Sequence, residues 1–217
     1  MRVSEDTGPR LLAYGDRAVL VELSDAAAAV GWVDALRAAT IKGIADLVPA
    51  ARTVLVVGDG TVGIGALRRC LSEIEVAPER TLFTTDDAEV VEIGVRYDGP
   101  DLDDVAELTG MTRQQVVDTH TGATWRVAFG GFAPGFAYLV GGDDRLRVPR
   151  RETARTKVPA GAVGLAGEFS GIYPRESPGG WQLIGSTDKV MWDLERDPPA
   201  LLRPGGAVRF VDAGASA

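Results

Sequence analysis

Beyond residue 124 the chain consists of short apolar runs separated by clusters of glycine and proline. The runs cover residues 125–129, 136–140, 163–166, 181–184 and 207–211, each about the length of one strand. Because glycine and proline permit tight turns and unusual backbone angles, this pattern predicts many short strands joined by turns. We therefore expect a β-barrel or a folded sheet in the second half of the chain.

The first half has a different pattern, in which strands and helices alternate. Residues 11–23 predict two short strands around a turn, and β-branched residues predict further strands within 47–57 and 90–97. Apolar residues at helical spacing predict amphipathic helices over residues 25–41 and 61–75. This alternation favours a small α/β sandwich.

The predicted fold class is α+β, with two domains. Residues 1–90 form the N-terminal α/β domain, whose first nine residues are expected to be a frayed tail. Residues 91–217 form the barrel domain, which begins with a short helical hairpin over about 101–122.

Charge and composition exclude several classes of function. The net charge is −8 and the pI is near 4.8, so a nucleic acid would be repelled on average. The longest apolar runs are too short to cross a bilayer, and no secretory signal is apparent. A single cysteine cannot form an internal disulfide, which fits a reducing compartment. We expect a cytoplasmic protein without a nucleic-acid or membrane partner.

The helical hairpin resembles a helix-turn-helix in its spacing, which makes DNA binding one interpretation. Its second helix carries Arg113, Gln114 and Gln115, which are able to contact bases. The surrounding acidic residues oppose the phosphate contacts that DNA recognition needs first. We therefore interpret the hairpin as structural.

Two single residues have both a functional and a structural interpretation. Cys70 lies beside the apolar stripe of Leu67 and Leu71, which predicts a buried, inert thiol. His120, the single histidine, lies where the second short helix ends. It cannot form a zinc site without distant carboxylates, so no metal site is predicted. It is either a structural residue or a proton carrier.

Two common catalytic motifs are absent from the sequence, and a dense basic region takes their place. There is no Gly-x-x-x-x-Gly-Lys-Ser/Thr phosphate loop and no Gly-x-Ser-x-Gly nucleophile turn. Four cations, Arg150, Arg151, Arg155 and Lys157, lie beside glycine-rich turns. They form either an anion-binding patch or a set of ion pairs with local acids such as Glu152.

At these residues the sequence resembles the family of the 5-oxoprolinase B subunits, also named allophanate hydrolase subunit 1 and related to a sporulation-kinase inhibitor. The resemblance runs along nearly the whole chain. It is carried by residues 14–22, 43–50, 97–102, 131–139, 158–161, 171–181 and 183–185.

The resemblance implies a fold, a reaction and partners. The barrel would be cyclophilin-like. The chain would form a heteromer with the C subunit of 5-oxoprolinase, which is similar to allophanate hydrolase subunit 2, and would act with the A subunit of the same enzyme. The implied activity is the ATP-dependent opening of 5-oxoproline to glutamate, with the chain inactive alone. ATP, with Mg, would bind on the partner or at a site shared with it.

The same resemblance implies site residues. His120, Arg150 and Arg155 would be catalytic, with the arginines holding a carboxylate or phosphate and the histidine relaying a proton. A larger set of residues would bind the substrate and an anion: Phe132, Pro134, Gly135, Phe136, Tyr173, Ser177, Gly179 and Gly180.

Two departures from the family pattern concern this set. Ala154 precedes Arg155 where the family commonly has proline, and residues 168–170 read Glu-Phe-Ser where many relatives have Gly-Gln-Thr. Phe169 would then either pack or change substrate choice.

Two other functions stay open: a regulator that inhibits a sensor histidine kinase, and half of a biotin-dependent urea or amide carboxyltransferase.

Overall fold

The computed structural model describes residues 8–74 and 90–214. The chain divides into two compact units, residues 1–84 and 85–217. The predicted domain boundary at residue 90 adjoins a stretch outside the described residues and stays a prediction. Most of the predicted N-terminal tail also lies outside them.

The first unit is a four-stranded antiparallel sheet with two helices. Its elements are β1 (Arg10–Tyr14), β2 (Ala18–Glu22), α1 (Ala26–Ala39), β3 (Ile44–Pro49), β4 (Thr53–Gly58) and α2 (Ile64–Ser72). The strand order is β1-β2-β4-β3. The sequence predicts each of these elements except β3. This strand lies in the more polar stretch before β4, which has a weaker strand pattern.

Strand alternation builds the core of this unit. Val19 and Val21 on β2 and Val54 and Val56 on β4 are fully buried, because every second side chain faces the helices. Trp32, on α1, belongs to the same cluster. The helix begins where the Asp25 carboxylate accepts the Ala28 N–H at 2.8 Å.

The prediction for Cys70 is wrong, because this residue is exposed. Leu67 and Leu71 are buried, and Ile64 and Ile74 pack against the same core. At helical spacing Cys70 lies about 80° from the centre of that stripe. Adjacency in sequence therefore predicts the wrong face for it.

The second unit contains the remaining strands and two helices. They are β5 (Val90–Val95), α3 (Leu102–Thr109), α4 (Arg113–Gly122), β6 (Thr124–Gly130), β7 (Ala137–Val140), β8 (Arg155–Val158), β9 (Ala162–Ala166), β10 (Phe169–Ile172), β11 (Ser177–Gly179), β12 (Gln182–Ser186) and β13 (Ala207–Asp212). Each of the five short apolar runs forms a strand. Three strands lack a sequence signal (β8, β10 and β11), since they are short and rich in charge, glycine or proline.

Seven of these strands form a nearly closed, barrel-like sheet, which confirms the coarse prediction of an α+β chain with a barrel. The strand order is β12-β9-β10-β7-β6-β13-β5, with β5 and β13 parallel. The first and last strands meet through an antiparallel bridge between Arg96 and Ser186. The cyclophilin-like assignment and the N-terminal sandwich stay predictions.

The helical hairpin forms as predicted, and its polar residues are used within the hairpin. Thr112 and Gln115 form a reciprocal capping box at the start of α4. Arg113 pairs with Asp103 at 3.2 Å, and the Gln114 amide donates to Asp118 at 2.9 Å. All three candidate base-reading side chains therefore have local partners, which supports the structural interpretation. Within the described ranges, no helix has the length and hydropathy needed to span a membrane.

Closure of the sheet depends on glycine. A Cβ at Gly99 would lie 2.3 Å from the backbone of Leu183 and Ile184 on β12. We expect Gly99→Ala to lower the free energy of unfolding by about 2 kcal/mol, because the backbones must separate. Gly122→Ala is the matched control, since nothing lies within 4 Å of its added Cβ. Urea unfolding of both variants measures the difference, and equal stabilities would contradict this account of closure.

Candidate functional site

Strand β10 separates the predicted site residues onto two faces of the sheet. Ser170 and Ile172 face the core, where Ser170 contacts His120. Gly171 and Tyr173 face the other way, toward Phe136 among others. Because side chains alternate along a strand, His120 lies across the sheet from the remaining predicted residues.

His120 is a fully buried, hydrogen-bonded core residue. Its Nδ1 lies 2.8 Å from the Tyr97 hydroxyl and its Nε2 lies 2.9 Å from the Ser170 hydroxyl. The ring stacks on Phe210 with centroids 4.2 Å apart. Both ring nitrogens thus have partners within the core, and the backbone carbonyl accepts the Trp125 indole N–H at 3.1 Å.

This environment keeps the imidazole neutral. Burial lowers the pKa of His120 to about 3, and burial also raises the pKa of its partner Tyr97. A neutral histidine that is 0% exposed has no path for passing a proton to a bound substrate. The proton-relay role stays a prediction, and the geometry favours the structural interpretation.

The neutral histidine makes the fold sensitive to acid. Below pH 6.5 the unfolded chain protonates His120 while the folded chain does not, so stability falls as the pH drops. The contribution approaches about 1.4 kcal/mol per pH unit. Urea unfolding between about pH 7.5 and 4.5 measures it, and His120→Gln should show a shallower dependence. Parallel curves for the two proteins would refute this source of acid sensitivity.

On the opposite face an aromatic cluster supports the predicted binding residues. Phe136 packs edge-on against Tyr173 and Trp181, each with centroids 5.3 Å apart. Tyr138 joins the cluster at 5.0 Å from Phe136. Phe136, Tyr173 and Trp181 are all buried, so this cluster is a rigid base and not a mobile surface.

Phe132 stands out from this cluster as an exposed and strained residue. It is 57% exposed and has a φ of 63°, a region that bulky side chains avoid. Its ring touches Phe136 and Tyr173 at the edge. Gly135 also has a positive φ, and a Cβ there would meet Trp192 at 2.8 Å. Strain at an exposed aromatic indicates a functional position, since burial does not account for it.

We expect Phe132 to contribute little to stability. Phe132→Gly removes an exposed ring and relieves the positive φ, so the free energy of unfolding should change by less than about 1 kcal/mol. Phe136→Ala, which empties a buried position in the same loop, should cost about 3 kcal/mol or more. Thermal and urea unfolding compare the two. A similar loss in both variants would show that Phe132 is a packing residue.

The predicted arginines converge on one buried carboxylate. Asp101, 1% exposed, accepts hydrogen bonds from Arg155 Nη1 at 2.8 Å and Nη2 at 2.6 Å. Arg151 Nη1 donates to the same carboxylate at 2.5 Å, and the Leu183 N–H donates at 2.7 Å. Arg150 is exposed and forms no ion pair within residues 8–74 and 90–214.

This arrangement changes both interpretations of the basic region. The acid that pairs with Arg151 and Arg155 is Asp101, which is 50 and 54 residues away, and not the neighbouring Glu152. Arg155 is held by Asp101, whereas Arg150 is exposed and has no ion-pair partner among the described residues. The outermost cation, Lys157, pairs with Glu176 at 3.2 Å on the surface.

The glycine-rich segment borders this cluster. Gly179 pairs with Arg155 between β11 and β8, and a Cβ on Gly179 would lie 2.3 Å from the Tyr173 hydroxyl. The Gly180 carbonyl accepts the Arg151 N–H at 2.8 Å. Glycine is thus required where the strand crosses Tyr173. The remaining predicted contact, Ser177, is half-buried and its hydroxyl donates to the Arg175 carbonyl at 3.2 Å.

Tyr173 connects the aromatic and basic parts of the site. Burial raises the pKa of the Tyr173 hydroxyl, while the Trp181 N–H and the charges of Arg150 and Arg155 oppose that rise. The hydroxyl also lies against Gly179, which pairs with Arg155 between β11 and β8. Ring contacts and strand pairing thus connect one group of the predicted residues, namely Phe132, Phe136, Tyr173, Gly179 and Arg155. His120 lies on the other face of β10, and Pro134 is exposed.

The sequence pattern does not identify the residues that hold other side chains in place. Asp101, within 97–102, stands out only as one of several acids, and the residues around Tyr97 indicate only a turn. Ser170 replaces the threonine of many relatives, and its hydroxyl is the group that contacts His120, so the replacement keeps the necessary atom. Phe169 packs edge-on against Phe129 and Tyr138, which agrees with the first of its two interpretations, and an effect on substrate choice stays a prediction.

Comparison with known proteins identifies the family. The model named carboxyltransferase domain, subdomain C and D, matches residues 9–202. The chain belongs to this family. A relative from Escherichia coli O157:H7, named as the B subunit of 5-oxoprolinase, is 36% identical over 214 residues, which cover 93% of this chain and 95% of the relative. A protein of the same name from Bacillus subtilis (strain 168) is 45% identical over 125 residues, 56% of this chain.

The alignments cover only part of several of the compared proteins. The chain aligns with about half of the Bacillus relative, 52% of its length. It also resembles the solved structure of TTHA0988, with a TM-score of 0.70 and 37% identity over 91% of this chain but 40% of that one. A urea amidolyase from Saccharomyces cerevisiae is 33% identical over 116 residues, which cover 50% of this chain and 6% of that protein.

Proposed function

We propose that this chain is one component of an ATP-dependent 5-oxoprolinase, which opens the lactam of 5-oxoproline to give glutamate. Supporting it is the match along almost the full length of the Escherichia coli relative, which is named as the B subunit of 5-oxoprolinase. The C and A subunits, the partners proposed from the family resemblance, would complete the enzyme. A cytoplasmic location and a cyclophilin-like barrel belong to the same proposal.

The geometry around Arg150 suits such a substrate. 5-Oxoproline carries one carboxylate on a small, partly apolar ring. A guanidinium binds a carboxylate through paired hydrogen bonds, and Arg150 is an exposed cation whose charge acts on the Tyr173 hydroxyl. Phe132 adds an exposed aromatic surface against which the ring carbons would pack. In this proposal Arg150 binds and orients the substrate, while the aromatic cluster keeps its surroundings dry.

ATP does not fit these residues by themselves. A triphosphate with Mg needs several phosphate donors and oxygen ligands for the metal. The described residues hold no cluster of three or more metal-ligating side chains, so they offer no ligand set for Mg. We therefore assign the ATP site to a partner protein or to a surface completed by one.

A second candidate is a biotin-dependent carboxyltransferase half that acts on urea or a similar amide. It is favoured by the partial match to urea amidolyase and by the name of the family. That match covers half of this chain, against 93% for the 5-oxoprolinase relative, so it is the weaker candidate. Biotin-dependent carboxylation of urea by the assembled proteins would favour it.

Arg150→Ala tests the proposed function. The chain would be purified with its partners, and phosphate release would be measured with and without 5-oxoproline. Loss of a charged hydrogen bond to the substrate should reduce kcat/KM for 5-oxoproline by about tenfold or more. Arg145→Ala is the control, because that exposed arginine pairs with Asp143 at 2.7 Å elsewhere in the unit.

Two outcomes would contradict this assignment. If the wild-type assembly shows no 5-oxoproline-dependent phosphate release, the proposed function is wrong. If that release is present and Arg150→Ala leaves it unchanged, the enzyme assignment stands and Arg150 does not bind the substrate.

A further inference from the structure

The carboxylate of Asp101 is buried and fully hydrogen-bonded. Arg155 holds it through two parallel hydrogen bonds, Arg151 through one, and the Leu183 N–H through a fourth. A carboxylate this deep in the protein would be costly without such partners. Both of its oxygens are therefore committed to fixing the two guanidiniums.

The number of cations exceeds what this carboxylate needs. One guanidinium would neutralise Asp101, yet two are bound to it and Arg150 lies one residue from Arg151. The next acid, Asp104, is 3.8 Å from Arg151 Nη1, but its side chain is 60% exposed and solvent screens the pair. A purely structural ion pair does not account for this surplus positive charge in a chain whose net charge is −8.

The two bound guanidiniums also keep unused hydrogen-bonding capacity. The side chains of Arg151 and Arg155 are 30% and 23% exposed, so one edge of each reaches the surface. Arg151 Nε is buried and has no hydrogen-bond acceptor among the described residues. This atom is closed to solvent, so an oxyanion from outside the chain would meet the partly exposed parts of the two side chains instead.

Arginine geometry links these observations. The guanidinium is planar, so two hydrogen bonds to Asp101 fix the plane of Arg155 and the direction of its remaining N–H groups. The Arg151 backbone is held as well, because its N–H donates to the Gly180 carbonyl at 2.8 Å. The exposed edges are thus held in place before a ligand arrives, which lowers the entropic cost of binding.

We propose that Asp101 is a positioning residue, which holds Arg151 and Arg155 so that their free N–H groups and Arg150 together receive an oxyanion, either a carboxylate or a phosphate group. Asp101 itself does not contact the ligand. The choice of 5-oxoproline as the carboxylate rests on the proposed function, whereas the oxyanion chemistry does not.

Asp101→Asn tests the proposal, with Asp103→Asn as the matched control on the same helical hairpin. Asparagine keeps the shape but loses the charge, and its amide directs N–H groups at the arginines. In the assembled enzyme, KM for 5-oxoproline should rise about tenfold while kcat changes by less than about threefold. Asp103→Asn, whose partner Arg113 is on the surface, should leave both parameters unchanged.

A binding measurement makes the test independent of the enzyme assay. Calorimetric titration of the purified chain with inorganic phosphate and with 5-oxoproline identifies which oxyanion the cluster receives. Wild type and Asp103→Asn should bind at least one of them, and Asp101→Asn should bind it about tenfold more weakly. Should Asp101→Asn fail to fold, Arg151→Lys replaces it, since lysine keeps the charge but lacks the planar guanidinium that Asp101 fixes, and it should also weaken binding.

Three results would overturn the positioning role. The first is an Asp101→Asn protein whose unfolding temperature falls while its KM and its affinity for the oxyanion stay unchanged. The second is a wild-type chain that binds neither oxyanion, and the third is an Arg151→Lys protein that binds the oxyanion as tightly as wild type. If the assembly shows no 5-oxoproline-dependent phosphate release, only the proposed function is refuted. The phosphate titration still decides the role of Asp101.

Discussion

Pairing of residues 96–101 with strand β12 is the interaction on which the second unit depends. The Arg96 and Ser186 backbones exchange two hydrogen bonds of 2.8 Å, and the Gly99 N–H and Asp101 N–H donate to the Ile184 and Leu183 carbonyls. These hydrogen bonds close the sheet between its first and last strands. At the end of the paired segment the Asp101 carboxylate accepts the Leu183 N–H, beside the arginines. Closure of the sheet and the position of Asp101 among the arginines therefore depend on the same pairing.

The closed sheet also determines which residues are able to cooperate. Ser170 and Gly171 are neighbours on β10, yet one contacts His120 in the core and the other supports the aromatic face. A strand separates its neighbouring side chains in this way regardless of their chemistry. His120 therefore packs in the interior of the unit, and the proposed binding residues Phe136 and Tyr173 lie on the opposite face.

Local pattern predicts the elements better than it predicts the site. Helix α1, with Asp25 as its cap, and the capping box at Thr112 can be identified because caps and helical periodicity are properties of neighbouring residues. Strands β8 and β11 have little apolar character of their own, so no local pattern indicates them. They pair with each other, and that pairing brings Gly179 opposite Arg155.

The family resemblance indicates one region of the second unit but does not assign separate roles to the residues in it. The pairing of Arg155 with Asp101 spans 54 residues, and no periodicity in the sequence indicates it. Cys70 shows the same limit on a smaller scale, because its exposure depends on an angle around the helix and not on its apolar neighbours. Long-range ion pairs and the facing of single side chains are set by the tertiary fold.

The division between held and free cations has a physical consequence for binding. Arg151 and Arg155 have lost most of their side-chain freedom to Asp101, so a ligand that meets them need not order them again. Arg150 keeps its freedom and its full charge at the surface. An anion would therefore be attracted first by the exposed residue and then oriented by the fixed pair. Phe132 is also held in place before binding, on the apolar side of the site, since its strained backbone already holds the ring outward beside Tyr173.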